Sequence, residues 1–150
     1  NEFAKMIAEE LGKALVRFPK QEKEATDTMN ILSLRAEYDI LAQAYYSSDL
    51  SWTVLYSPRD RGLADPVYGR TVFVRPVRDV FEVVQYCSHL TQTAGLAIGS
   101  DQKLRLIKAL VNKGIDRCPE IGQMMQYEVP WDGMFLVEKL IRWCKLPRLE

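Results

Sequence analysis

The side chains best suited to covalent chemistry are Cys87, Cys118, Cys144 and the only histidine, His89. A cysteine attacks as its thiolate, which requires an exposed site that stabilises negative charge. Cys87 and Cys144 lie on or beside apolar helical patterns, where buried thiols are expected. Cys118 ends a predicted strand, where α/β sites assemble, but Pro119 after it has no N–H to offer an oxyanion. We therefore predict that none of these cysteines is a catalytic nucleophile and that His89 is solvated.

The segment 127–133, with the sequence YEVPWDG, places an aromatic residue between a proline and an Asp-Gly turn. Two interpretations remain open. In the first, the segment is a structural turn in which Asp132 caps the following helix and Trp131 covers an apolar edge. In the second, it is a loop of fixed shape at the mouth of a site.

The common nucleotide-binding signatures do not occur, neither Gly-x-Gly-x-x-Gly after a strand nor a Walker A lysine loop. A helix is predicted to begin after Gly99, and a helix N-terminus can bind phosphate. Asp101 would repel phosphate there but suits the helix dipole. We therefore interpret Ser100 or Asp101 as the cap of this helix.

Charge and composition exclude several classes of protein. Twenty Lys and Arg balance twenty Asp and Glu, without the basic excess typical of nucleic-acid binding. No apolar run approaches the ~20 residues of a transmembrane helix, and no signal-peptide pattern opens the chain. The three cysteines and one histidine do not have metal-ligand spacing. We expect a cytoplasmic protein with free thiols, no bound metal and no nucleic-acid partner.

The first 50 residues have helical periodicity. Apolar residues between Phe3 and Phe18 recur at helical spacing until Pro19, and a second stripe runs from Ile31 to Tyr45. The second stripe lasts two heptads, so a helix packed on a sheet is favoured over a coiled coil.

Residues 51–150 alternate between strand and helix patterns. Strands are predicted at 52–56, 71–77, 93–98 and 115–118, and the 71–77 pattern is typical of a strand covered on both faces. Their regular spacing predicts an α/β unit over residues 1–150, with 71–77, 93–98 and 115–118 parallel and adjacent in one sheet.

Three helices are predicted between and after these strands. The first spans residues 78–90, and the second runs from Ser100 or Asp101 to Gly114 with Leu104, Ile107 and Val111 on one face. The last opens at Asp132 or Gly133, and its apolar residues are Leu136, Leu140 and Trp143.

Four segments in this order resemble the long-chain acyl-CoA reductases of the bacterial bioluminescence type. The segments are 69–74 (GRTVFV), 91–97 (TQTAGLA), 113–117 (KGIDR) and 131–133 (WDG). That family belongs to the aldehyde dehydrogenase superfamily. The resemblance implies a three-layer catalytic domain with a parallel sheet, of which this chain would be the C-terminal portion, preceded by two helices.

The resemblance also implies a reaction. A cysteine thiolate captures an acyl group as a thioester, and NADPH then delivers hydride to release a fatty aldehyde. The family's nucleophile would lie upstream of Asn1, so the chain alone is expected to be inactive. Acyl-CoA or an acyl-protein synthetase would supply the acyl group, and the complete enzyme would form a homo-oligomer.

The resemblance suggests two groups of site residues. The superfamily's Glu-x-Phe-Gly element is matched by residues 66–69, which lack the ribose-binding carboxylate, so Tyr68 and Gly69 are left as cofactor contacts. The superfamily's late Pro-Phe-Gly-Gly turn is matched by Pro130, Trp131, Asp132 and Gly133, which would contact the substrate.

An alternative function remains open. Because no nucleophile is expected in the chain, it could be a non-catalytic α/β module whose first two helices bind a partner or a second copy.

Overall fold

The computed structural model describes residues 1–19, 22–59 and 62–145. Where the sequence analysis expects one unit over residues 1–150, the contacts group the chain into two compact units, Asn1–Arg78 and Asp79–Glu150. Each unit has a hydrophobic cluster of its own. No described helix is both long enough and apolar enough to cross a membrane.

The first unit contains two helices followed by three strands. In chain order these are α1 (Glu2–Arg17), α2 (Ala25–Leu41), β1 (Gln43–Tyr46), β2 (Thr53–Tyr56) and β3 (Thr71–Val74). The sheet order is β1-β2-β3, with β1 antiparallel and β3 parallel to β2. The predicted α/β class is confirmed, but this sheet is mixed and not parallel throughout.

Strand β1 corrects the prediction that residues 1–50 are entirely helical. Tyr45 continues the spacing of the α2 stripe, yet α2 ends at Leu41 and Tyr45 pairs with Val54 across the sheet. The turn after β1 is stabilised by Asp49, whose carboxylate accepts hydrogen bonds from the backbone N–H and hydroxyl of Ser51. Such local bonds favour a turn over a continuing helix.

The two helices pack against opposite faces of the sheet. Ala4 and Ala8 of α1 pack with Val54, Val72 and Val74, whose side chains share one face because side chains alternate along a strand. The helix–sheet interpretation of the helical stripes is therefore correct.

On the other face, Tyr38 of α2 meets Phe73 edge-on, with ring centroids 6.2 Å apart. The strand buried on both faces is β2, since Val54 and Leu55 have no exposed surface. That environment was predicted for residues 71–77, but β3 is an edge strand of the sheet formed by the described residues and is only partly buried.

The second unit contains a 3₁₀ helix (Val80–Tyr86) and the helices α3 (Ser100–Val111) and α4 (Leu136–Leu140). Its core consists of Leu96, Leu106, Leu110 and Ile115. The predicted face of α3 is corrected, since Leu104 and Val111 are exposed while Leu106 and Leu110 are buried.

The helix predicted over 78–90 is a 3₁₀ helix over a shorter span. Asp79 caps it by accepting a hydrogen bond from the Phe81 N–H at 3.0 Å. Three of its seven residues are valines, and β-branched side chains lower helix propensity.

The strands predicted at 93–98 and 115–118 run parallel but form only isolated bridges, Thr93 with Arg117 and Leu96 with Glu120. The Leu96 N–H donates to the Pro119 carbonyl at 2.8 Å, but Pro119 has no N–H to continue a ladder. These segments lie outside the β1-β2-β3 sheet, so the prediction of one sheet containing 71–77, 93–98 and 115–118 is wrong.

Two predicted helix starts are also corrected. Gly99 precedes α3 and no side chain caps it, whereas Ser100 and Asp101 lie within the helix and bond to each other. The last helix starts at Leu136, because Asp132 and Gly133 have φ angles of 45° and 73°, which no α-helix accommodates.

Replacing Gly114 with alanine should destabilise the protein more than the same change at Gly122. Both glycines have left-handed φ angles, 93° and 92°, but a Cβ at Gly114 would lie 3.0 Å from His89 Cα while one at Gly122 meets nothing within 4 Å. Gly122→Ala should cost about 1–2 kcal/mol for φ alone, and Gly114→Ala should cost more. Urea unfolding followed by circular dichroism measures both, and equal losses would contradict the crowding.

Candidate functional site

The centre of the candidate site is Arg117, which lies in the 113–117 segment and for which the sequence predicted no role. Its side chain is only 5% exposed. Nε donates a hydrogen bond to Glu128 Oε1 at 3.0 Å, Nη2 to the Gln126 carbonyl at 3.2 Å and Nη1 to the Met124 carbonyl at 3.3 Å. One guanidinium therefore holds three separate positions of the following loop, residues 124–134, which we call the Arg117 loop.

An aromatic pair lies over this guanidinium. The Trp131 ring centroid is 4.3 Å from Arg117 Cζ, within cation–π distance. Tyr127 stacks on Trp131 with centroids 5.4 Å apart and an interplanar angle of 17°. Trp131 is partly buried and Tyr127 exposed, so the pair presents an apolar surface to solvent while its inner ring rests on a cation.

A tight turn fixes the far end of the loop. Trp131 and Met134 exchange two backbone hydrogen bonds of 3.0 and 2.9 Å, while Asp132 and Gly133 between them take left-handed conformations. A Cβ at Gly133 would lie 2.7 Å from the Asp116 carboxylate. The conformation therefore favours glycine here, and a larger residue would also displace the Asp116 carboxylate.

The predicted substrate residues Pro130, Trp131, Asp132 and Gly133 thus lie in one ordered loop. Asp132 Oδ1 is 3.9 Å from Arg117 Nη1, so its carboxylate faces the same cation. Asp132 therefore does not cap the following helix, as the first interpretation of this segment had expected. The Val129–Pro130 peptide bond is cis. The contact of this loop with a substrate stays a prediction.

Two of the cysteines have environments that disfavour attack. Burial raises the pKa of the Cys87 thiol, with Lys113 opposing the shift, and Cys87 Sγ donates to the Val83 carbonyl at 3.4 Å. Burial also raises the pKa of the Cys118 thiol, and neighbouring Cys87 adds to the rise. At neutral pH both thiols are protonated, which suppresses their nucleophilicity.

The environment of Cys144 differs from the prediction. The sequence pattern placed it on a buried helical face, but α4 ends at Leu140 and Cys144 is exposed. The helix is short because Trp143, expected on its apolar face, is 85% exposed and gives no packing that would extend it. His89 is exposed as expected, with its backbone against Gly114.

The predicted cofactor residues Tyr68 and Gly69 line a cleft of about 190 Å³ in the first unit. Its other lining residues are Glu22, Lys23, Asp27, Ser51 and Arg70. The Tyr68 side chain is 75% exposed, so its ring is accessible. Two carboxylates and two cations give the cleft a balanced charge.

The backbone at Gly69 and Arg70 bends through left-handed conformations, with φ angles of 77° and 56°. A Cβ at Gly69 would overlap Lys23 Cε and lie 2.9 Å from Ile31 Cδ1. Arg70 donates two hydrogen bonds from Nη2 to the Phe18 and Pro19 carbonyls, at 2.8 and 3.0 Å. The turn is therefore tied to the end of α1.

The candidate cofactor residues belong to the first unit and the candidate substrate loop to the second. Within the described ranges, no group of three or more His, Cys, Asp and Glu side chains is arranged to hold a metal ion.

Comparison with known families gives one assignment. The family model described as acyl-CoA reductase (LuxC) matches residues 1–143, which includes the cleft, the Arg117 loop and all of α4. Comparison with curated proteins finds no match. The family implies reduction of fatty acyl groups in general. Because the match covers nearly all of the 150 residues, the chain belongs to the acyl-CoA reductase (LuxC) family.

Proposed function

We propose that this chain is the C-terminal portion of a catalytic domain that reduces fatty acyl-CoA, or an acyl-protein thioester or ester, to fatty aldehyde. The observation that carries the proposal is the family match over residues 1–143. In this proposal the domain has the three-layer aldehyde dehydrogenase-like fold, works in the cytoplasm as a homo-oligomer, and receives its acyl group from CoA or an acyl-protein synthetase.

The reaction proceeds in two stages in this proposal. A cysteine thiolate outside these 150 residues displaces the thiol or alcohol of the donor and forms an acyl-cysteine thioester. NADPH supplies the hydride that reduces this thioester to the aldehyde and regenerates the thiolate. Burial raises the pKa values of the Cys87 and Cys118 thiols, which argues against either of them as the nucleophile.

The Arg117 loop supplies the acyl-chain contact. The stacked rings of Tyr127 and Trp131 offer an apolar surface, which gains free energy by covering alkyl carbons. The guanidinium beneath Trp131 and the turn at Asp132 and Gly133 keep that surface in place.

The size and charge of the cleft at Tyr68 and Gly69 support binding of the neutral end of NADPH there. Its volume of about 190 Å³ is too small for a dinucleotide. Because Glu22 and Asp27 balance Lys23 and Arg70, the cleft also lacks the net positive charge that would hold phosphate groups. Carboxylates do accept hydrogen bonds from ribose hydroxyls. We therefore propose that Tyr68 and Gly69 contact the nicotinamide riboside end and that the phosphates bind outside this cleft.

A cysteine-replacement variant of the complete enzyme tests the proposal. We expect a variant with Cys87→Ala, Cys118→Ala and Cys144→Ser to retain the covalent acyl-enzyme formed from a radiolabelled acyl donor, together with NADPH oxidation. Alanine is used at the two partly buried positions because a buried hydroxyl would cost stability.

Loss of the acyl-enzyme in a variant with a wild-type circular dichroism spectrum would place the nucleophile in this chain, and single replacements would identify it. If the unmodified enzyme forms neither acyl-enzyme nor aldehyde from any donor, the reductase proposal fails. The non-catalytic interaction module would then be favoured.

A further inference from the structure

The contacts of Arg117 go beyond those of an ordinary surface ion pair. Two of its three hydrogen bonds end on backbone carbonyls, at Met124 and Gln126, so they fix the path of the chain whatever side chains the loop carries. The third ends on Glu128. A segment of only five residues is therefore held at alternate positions by one side chain.

This pattern determines where the aromatic pair can lie. Tyr127 is flanked on both sides by residues bonded to Arg117, namely Gln126 and Glu128, and Trp131 rests on the guanidinium itself. Neither ring belongs to a helix or a regular strand. Their positions consequently depend on Arg117 more than on secondary structure.

We infer that Arg117 is a positioning residue that sets the preference of the enzyme for long over short acyl chains, by holding the Tyr127–Trp131 pair at a fixed place. This inference rests on the function proposed for the loop. Arg117 itself does not contact the reacting atoms; its effect passes through the two rings.

Lysine should not replace arginine at position 117 without loss of the hydrogen bonds to the loop. A guanidinium presents five N–H donors in a rigid plane, whereas an ammonium is a point charge on a flexible stem. Arg117→Lys would preserve the charge facing Glu128 and Asp132 but could not reach three acceptors with the same geometry. The loop would then hold its rings less firmly, and the alkyl chain would lose part of its contact surface.

Arg35 in the first unit is a matched control. As a whole residue it is 6% exposed, compared with 7% for the whole of Arg117. It also donates three hydrogen bonds, to the Ser47 carbonyl, the Trp52 carbonyl and Thr53 Oγ1, and its Cζ lies 4.3 Å from the centroid of an aromatic ring, that of Tyr46. Arg35→Lys therefore removes comparable contacts at a position far from the Arg117 loop in sequence.

The test measures kcat and KM of the complete enzyme for hexanoyl-CoA and hexadecanoyl-CoA, with NADPH saturating. We expect Arg117→Lys to lower the hexadecanoyl-to-hexanoyl ratio of kcat/KM about tenfold, mainly through KM for the long substrate, since small displacements of a positioning group have effects of this order or more. Arg35→Lys should leave the ratio unchanged.

Glu128→Gln provides a second variant in case Arg117→Lys does not fold. Glu128 is 55% exposed, so its replacement leaves the core intact while weakening one of the three bonds. It should shift the same ratio in the same direction by a smaller factor.

Four outcomes are decisive. An unchanged ratio in folded Arg117→Lys and Glu128→Gln would overturn the inference, and so would an equal shift in Arg35→Lys. If the unmodified enzyme reduces neither substrate, the proposed function has failed, and the inference about Arg117 fails with it. A lower ratio confined to the Arg117 and Glu128 variants would support the inference.

Discussion

Replacing Arg35 with alanine should lower the free energy of unfolding of the first unit by about 3–5 kcal/mol, because the change removes three hydrogen bonds donated by one buried guanidinium. The affected acceptors are the Ser47 and Trp52 carbonyls and Thr53 Oγ1. Thr53 has no exposed surface, so water cannot take the place of the lost donor without rearrangement.

The loss of stability in Arg35→Ala should affect α2, β2 and the turn after β1, because Arg35 connects all three. Arg35 lies on α2, and its partners lie on β2 and in the turn after β1. Burial lowers the pKa of Arg35, and the neighbouring Tyr46, Asp49 and Asp39 oppose this shift. The guanidinium therefore stays charged, and its hydrogen bonds are of the stronger, charge-assisted kind.

Urea unfolding of Arg35→Ala measures this loss, with Arg17→Ala as the control. Arg17 is exposed near the end of α1 and lies over the Phe18 ring at 5.5 Å, so its replacement should change stability by about 0.5 kcal/mol or less. Similar losses in the two variants would mean that the buried bonds of Arg35 contribute little.

The elements predicted correctly are those in which burial follows a local period. Helix α1 ends near Pro19, β2 and β3 lie within the predicted strands, and Gly114 takes the left-handed conformation expected after α3. In these segments the side chains nearest in sequence specify the same structure as the tertiary contacts.

The secondary-structure predictions are wrong where tertiary contacts determine the conformation of a segment. Tyr45 fits a helical stripe equally well, but strand pairing with Val54 determines its conformation. The 93–98 segment has a strand composition, yet it finds only two bridging partners. Neither outcome is encoded in a local window of sequence.

One part of the candidate site, the loop around Trp131, could be predicted from sequence, whereas the role of Arg117 could not. A proline followed by Trp131 and an Asp-Gly pair predicts a shaped loop from local chemistry. Arg117 had no such signal, because its partners follow 7 to 11 residues later and an arginine is normally exposed. Only the fold reveals that its side chain is enclosed by the loop that it holds.

Replacing Trp131 with alanine in the complete enzyme should lower kcat/KM for hexadecanoyl-CoA by about 30–100-fold and change the value for hexanoyl-CoA far less. The indole is worth about 2–3 kcal/mol when its apolar surface is fully covered, and a short acyl chain covers less of it. The variant also frees Tyr127 from its stacking partner.

Two further variants separate this effect from a loss of stability. Trp143→Ala removes an indole that is 85% exposed and outside any helix, so it should preserve the chain-length profile. Trp131→Phe retains a ring over the Arg117 guanidinium and should recover most of the long-chain activity. A Trp131→Ala enzyme with an unchanged profile would make the loop purely structural. The recovery by phenylalanine matters most. A ring that merely filled space in the turn would restore kcat/KM equally for both substrates. A ring that contacts the alkyl chain would restore kcat/KM mainly for hexadecanoyl-CoA.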